Sequence, residues 1–308
     1  MKKTSSISIQ TKLALFVTII LWSSAFVGIR VGLTGYSPGS LALFRFLIAA
    51  VCLYIFCLYL PKRNKIMLKD KIKLLCIGAI TVGGYHVALN YGELSVSAGI
   101  ASFIISQSPV FTTLLAIVFL KERLNFLSFF GMFISILGVS LILFSHPGKI
   151  NFAVGSLYIL TAALLGSIYS VSQKYFLHKY NAIEVTAYLV WGAAIILLIY
   201  LMPLMHEILQ APLHSTFSVI YLGIFPAAIA YLAWSYVLAK MPASRAVNFL
   251  YWMPIITSFL GWIYLGEVPT VLSLLGGIIA LLGVWILNHS YRKVITPVMI
   301  EEQPISNK

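Results

Sequence analysis

Ten predominantly apolar runs alternate with short polar stretches along the chain. They fall at about residues 13–33, 40–60, 74–92, 98–119, 127–145, 153–173, 183–203, 216–239, 244–265 and 271–289. As helices, most of these runs are long enough to cross a hydrocarbon layer about 30 Å thick. The interior of a bilayer offers backbone polar groups no water partner, so a run of this length closes its hydrogen bonds as a helix. A closed barrel needs short alternating segments, and these runs are continuous. The pattern therefore predicts an all-α integral membrane protein with ten transmembrane helices.

The pattern is also written twice. An offset of 145 residues pairs Tyr91 with Tyr236, Ala98 with Ala243, Pro109 with Pro254 and Thr112 with Thr257. It continues through Leu120 with Leu265, Glu122 with Glu267, Gly131 with Gly276, and Gly138-Val139 with Gly283-Val284. A long internal period marks a duplicated architecture. The expected organisation is a cytoplasmic amino terminus at 1–12, a first repeat of five helices at 13–145, a second at 153–289, and a cytoplasmic tail at 290–308.

Composition fits this solvent: 60% of residues are hydrophobic and only 9% charged, where soluble domains carry about a quarter. The net charge of +13 is no nucleic-acid signature, because the bases sit in loops between apolar runs. With loops counted alternately from the amino terminus, 18 of 21 Lys and Arg share one side, and the other side holds only Lys149. Excess base marks the cytoplasmic side, so both termini are expected there. Five helices per half is an odd number, so the second half enters the membrane from the opposite face. The loop at Lys121–Arg123 is basic while its counterpart at Gly266–Thr270 is not, which fits that inversion. Met1-Lys2-Lys3 before an apolar run is similar to a signal peptide, but the run is too long and is read as a retained first helix. Cys52, Cys57 and Cys76 lie in or beside apolar runs and are expected to be buried thiols outside any disulfide or metal motif.

Candidate chemistry gathers where polar groups interrupt the runs. Pro109 and Pro254 fall within segments four and nine, where a proline frees the carbonyl four residues back, on Ile105 and Leu250. Beside these expected kinks stand Gln107 and Ser108 in one half, and Asn248, Tyr251 and Trp252 in the other. Segment three carries Tyr85, His86, Asn90 and Glu93; the last three share a face, and Glu93 at the helix end is expected to be solvated. Under the offset His86 meets Tyr231, and Asn90 meets Ser235. Trp22 in segment one, Tyr169, Ser172 and Gln173 in segment six, and Trp234 beside Tyr231 complete a set of aromatic and hydrogen-bonding groups. Such a set suits a cavity for a modest organic solute. Each of these groups also fits a plain packing or interhelical hydrogen-bonding role. Arg45 reads as snorkelling or gating, Glu122 and Glu267 as capping or pairing, and Gly28, Gly32 and the paired glycines as packing. No catalytic, nucleotide, metal or other cofactor motif occurs.

LWSSAFVGIR in segment one and LALFRFLIAA in segment two are the first carriers of a family resemblance. The twins FLKERLNFLSFFGMFISILGVSLIL and YLGEVPTVLSLLGGIIALLGVWIL are the second. In these stretches the chain resembles the EamA-type permeases of the drug/metabolite transporter superfamily, over about residues 12–290. The resemblance implies ten helices in two inverted five-helix halves around a cavity that opens to each side in turn. The expected function is secondary transport of a small polar metabolite, an amino acid, amine or related solute, across a bacterial inner membrane by alternating access. His86, lying deep within its segment, is expected to sense or carry a coupled proton. An integral membrane enzyme or a non-transporting assembly subunit is the rival reading. The first predicts a chemical product, and the second predicts that the isolated chain moves nothing.

Overall fold

The computed structural model of the chain describes residues 8–59, 66–120, 126–145, 150–241 and 246–298. The described residues are helical throughout their ordered elements, with no strand among them. Among the described residues six helices are long and apolar enough to cross a membrane: α1 (Ile9–Gly32), α2 (Pro38–Leu58), α3 (Leu68–Glu93), α7 (Ile150–Leu177), α8 (Ala182–Gln210) and α9 (Leu213–Lys240). Shorter apolar helices are α4 (Ala98–Ile105), α5 (Ser108–Leu120), α6 (Phe126–Phe144), α10 (Met253–Leu265) and α11 (Val271–Val298). Several helices outrun the apolar runs that predicted them. α3 starts at Leu68 among lysines and α8 continues to Gln210, because a helix persists into the polar zone after its apolar register ends.

Local chemistry sets the ends. Ser8 caps α1, accepting from the Thr11 N–H at 3.3 Å, and Asn181 caps α8 through the Ile183 N–H at 2.8 Å. Pro38 opens α2, where its missing N–H costs nothing. The Ser37 N–H just before it is taken by Glu207 at 2.9 Å. α10 ends at Gly266 in the left-handed region, φ 65°, a position that a Cβ would strain. Irregular turns interrupt both halves at corresponding places. α3 holds a π-helical turn at Gly78–Gly83 and α9 one at Phe225–Ile229. The fourth apolar segment breaks between α4 and α5, and a 3₁₀ turn at Val247–Trp252 leads into α10.

The helices pack in reciprocal pairs across the two halves. α1 lies on α9 and α10, while α7 lies on α3, α4 and α5; α2 packs on α9 and α8 on α3. α6 runs along α11 with glycines at the crossings. A Cβ on Gly131 would strike the backbone at Gly283 and Leu287, and one on Gly138 the backbone at Gly276 and Ala280. Gly28 admits the Leu222 side chain of α9, and Gly32 the side chains of Leu41 of α2 and Val219 of α9.

Loops sort to two ends. At one, Arg30, Thr34 and Tyr36 meet residues after α3, at the start of α9 and after α10. At the other, Gln10 meets Tyr236, Lys174 Nζ donates to the Leu238 and Met241 carbonyls, and the Tyr180 hydroxyl donates to Asp70 at 2.7 Å. That last bond holds the phenolic proton and raises the Tyr180 pKa above its ordinary value. The outer surface carries large apolar side chains such as Phe133, Phe259 and Trp262, while Arg45, His86, Asn90, Glu93, Gln107 and Gln173 are buried. A polar interior inside an apolar jacket suits a bilayer as solvent. Cys76 stands on that jacket, exposed rather than buried, while Cys52 and Cys57 are half-buried. Lys62, Arg63, Lys65, Lys121, Glu122, Arg123, Lys149 and Arg245 of the charge and repeat patterns lie outside the described residues.

Candidate substrate cavity

A cavity of about 90 Å³ lies among α1, α2, α3, α5, α7, α9 and the 3₁₀ turn before α10. As drawn it has room for a few water molecules. Its centre is His86. Arg45 Nη1 lies 3.3 Å from His86 Nδ1, and His86 Nε2 lies 3.0 Å from the Tyr231 hydroxyl. A guanidinium can only donate, so Nδ1 is assigned as the acceptor and Nε2 carries the hydrogen toward Tyr231. The Phe46 and Tyr85 rings each sit 4.8 Å from the imidazole, centroid to centroid. Tyr231 continues the wall to Tyr169 at 5.5 Å and Trp22 at 5.6 Å, and Trp22 to Trp234 at 5.4 Å. Trp22 is fixed by its indole N–H, which reaches the Pro226 carbonyl in the π turn of α9 at 3.2 Å.

The two proline sites are built differently. In the first half the helix breaks one turn ahead of Pro109, at Ser106-Gln107. The carbonyl freed on Ile105 accepts from the Ser108 hydroxyl at 2.8 Å. In the second half the chain tightens to the 3₁₀ turn, and the Leu250 carbonyl accepts from the Met253 N–H just ahead of Pro254. Pro109 faces the cavity, while Pro254 is buried behind it.

Trp22, Tyr85, His86, Ser108, Tyr169, Tyr231 and Tyr251 all line the cavity. Asn90, Gln107, Ser172, Gln173 and Trp252 do not. Asn90 Nδ2 donates to the Pro38 carbonyl at 2.9 Å and so ties α3 to the start of α2. Gln107 Oε1 accepts from the Ser135 hydroxyl, and Gln173 Oε1 accepts from Ser235 at 3.2 Å, which itself accepts from Thr186 at 2.6 Å. Trp252 is 59% exposed on the outer jacket. The Asn248 side chain lies outside the described ones.

Trp234 joins the lining residues as expected, and the wall adds Phe26, Thr81 and above all Arg45. Arg45 is 1% exposed and turned inward, so it does not snorkel. Glu93 is also fully buried instead of solvated. Its carboxylate oxygens have no hydrogen-bond partner among the described residues. Its backbone carbonyl accepts from Arg30, and Arg30 Nε pairs with Glu267 at 2.9 Å. Glu267 also accepts from the Ala98 N–H at 2.8 Å, capping α4, which is the pairing and capping role expected of it. No cluster of three or more His, Cys, Asp or Glu suited to a metal occurs among the described residues.

The EamA-like transporter family matches the chain twice, over residues 11–144 and 153–289. The uncharacterized transporter YdfC of Bacillus subtilis is 40% identical over 284 residues, covering 92% of this chain and 91% of that protein. A probable terminal-alkyne amino-acid exporter of Streptantibioticus cattleyicolor is 35% identical over 276 residues, covering 90% and 92%. A probable amino-acid metabolite efflux pump of Salmonella typhimurium is 23% identical over 299 residues, covering 91% and 95%. A solved crystal structure shares the fold with a TM-score of 0.61 at 18% identity, over 93% of this chain and 99% of that one.

Proposed function

The chain belongs to the EamA-like transporter family and is a multi-pass membrane transporter of small solutes; from that premise we propose that it moves a small polar metabolite of the amino-acid or amine type by alternating access. The proposed frame is ten crossings in two inverted halves, 13–145 and 153–289, in a bacterial inner membrane with both termini cytoplasmic. The observation that carries this reading is the bond between His86 and Tyr231. These residues correspond under the 145-residue offset (86 + 145 = 231), and they meet across the cavity. Gly131 against Gly283 and Gly138 against Gly276 support the same geometry. Each glycine faces the counterpart of the other, as helices related by a two-fold axis in the membrane plane do. A cavity shared between halves so related can be exposed to either side by rocking one against the other. The amino-acid exporter and amino-acid metabolite efflux pump among the relatives favour that cargo class, with outward movement the direction to test first.

Proton coupling is part of the proposal. In the state observed, His86 Nδ1 accepts from Arg45, so a proton can bind there only when that contact opens. Protonation and the Arg45 contact exclude each other, which couples a proton to a rearrangement of the cavity wall. The test is movement by purified protein in liposomes. Amino acids, nucleosides and amines are offered with and without a pH gradient. Solute movement driven by the gradient is expected. A conversion product without movement of any solute would overturn the transporter reading. A pH dependence unchanged in His86→Ala would remove His86 from the coupling.

A further inference from the structure

We infer that Arg45 is the anchor for a carboxylate, so that the cargo of this cavity is an organic acid or amino acid and not an amine or a nucleoside. The inference rests on the transporter reading for the word cargo, but the binding it describes does not depend on it. Arg45 sits seven residues into α2 from Pro38, about 10 Å along the helix. It is fully inside the protein and forms part of the cavity wall. A guanidinium is charged at any ordinary pH, and a charge taken out of water needs an opposite charge or several acceptors.

Arg45 has neither. The only ion pair among the described residues is Arg30 with Glu267. Glu93, two turns beyond His86 on α3, makes no bond to Arg45. Nη1 meets one imidazole nitrogen at 3.3 Å, and Nε has no acceptor among the described residues. The Phe46 ring lies 5.9 Å from the guanidinium carbon and supplies only a weak face. The cation is thus held inside the bundle as part of the cavity wall, with no bonded anion among the described residues; the buried Glu93 carboxyl acts on it only at a distance. A planar fork of donors is the group that matches a carboxylate, with two parallel N–H···O bonds. The Tyr231 hydroxyl, 3.0 Å from the other ring nitrogen of His86, is a further donor in the same cavity wall. An amine would meet like charge at this point, and an uncharged nucleoside would leave the cation unpaired.

A structural arginine and a ligand arginine differ in what their removal does. A structural one stabilises the empty protein. An unpaired buried one strains it and is relieved by ligand.

The experiment uses the full chain in detergent. Binding is read by quenching of the cavity tryptophans and by the ligand-induced rise in melting temperature. The probes are leucine, 4-methylpentanoate, leucinamide and 3-methylbutylamine, with the corresponding sets built on alanine and phenylalanine. The two carboxylates of a set are expected to bind about 100-fold more tightly than its amide and amine. Arg45→Gln is expected to erase that preference and Arg45→Lys to restore part of it. Empty Arg45→Met sheds the unpaired charge but leaves His86 Nδ1 without its donor, so it is expected to melt within a few degrees of the wild type, which also shows that it folds. The inference is overturned if the wild type binds no carboxylate of any set, or binds amides and amines equally well. It is overturned too if Arg45→Gln keeps the preference, or if Arg45→Met melts well below the wild type. Carboxylate-selective binding with no movement in liposomes would sink the transporter reading alone. Movement of amines with carboxylates left behind would sink this inference alone.

Discussion

Tyr231 gives His86 its hydrogen-bond partner on the far wall of the cavity. Tyr231→Phe keeps the ring contacts with Trp22 and Tyr169 but leaves the imidazole N–H buried without an acceptor. The expected cost is about 1–3 kcal/mol of stability, read as a lowered melting temperature in detergent. A weakened response to a pH gradient in liposomes is expected with it. Ser135→Ala is a parallel case away from the cavity. It strips Gln107 Oε1 of its donor and is expected to lower the melting temperature while leaving cargo preference intact, as measured by the same thermal and transport assays. At this scale the sequence was legible where a polar or aromatic group lies deep in an apolar run, as Trp22, His86, Tyr169 and Tyr231 do. It was less legible where one residue of helical rotation decides the outcome. Trp252 is adjacent to cavity-facing Tyr251, yet a turn of about 100–120° per residue puts it on the outer jacket. Arg45 was misread for a related reason: near the start of a helix an arginine can reach out or in, and only the contact with His86 decides it.

At the scale of elements, the runs were legible because a bilayer demands long apolar stretches, and each predicted run became a helix or a broken helix. What the run does not carry is its irregularities. Pro109 located a disruption, but the break falls one turn earlier, where the proline ring removes the bond and crowds the preceding carbonyl. The π turn in α9 holds Pro226, while that in α3 has no proline and so no such marker. The α6–α11 pair shows how little tolerance these packings have. Gly138→Ala would place a methyl on the Ala280 backbone, and backbone cannot step aside as a side chain can. The expected loss is about 1–3 kcal/mol, seen as a melting temperature several degrees below that of Ile136→Ala on the exposed face of the same helix. Glu267 joins three elements at once, pairing with Arg30 of α1 and capping α4 from the end of α10. Glu267→Gln keeps the shape and drops the charge. Since Arg30 and Glu267 belong to different halves, its expected effect is to free that end of the bundle. The rate of thiol labelling at a cysteine placed at Thr34 then rises relative to the same cysteine with Glu267 intact.

For the whole molecule, the question is whether the two halves enter the membrane from opposite faces. The two halves run through similar elements, and their principal contacts recur with the halves exchanged: α1 on α9 and α7 on α3, α2 on α9 and α8 on α3. Loop charge supplies the other half of the argument: with ten crossings, the bases of the sequence would crowd one side in both halves although the repeat shifts by an odd number of helices. Ser95 and Lys240 correspond under the offset (95 + 145 = 240), and both are exposed at helix ends. In a parallel duplication they lie on one face of the membrane, and in an inverted one on opposite faces. With Cys52, Cys57 and Cys76 replaced by alanine, Ser95→Cys is expected to react with a membrane-impermeant maleimide in right-side-out vesicles only. Lys240→Cys is expected to react in inverted vesicles only. Both reacting from one side would exclude inversion and with it a cavity exchanged between faces by rocking. Opposite labelling is the result expected from the reciprocal contacts, and reaction of Lys240→Cys from the cytoplasmic face is the result expected from the loop charges.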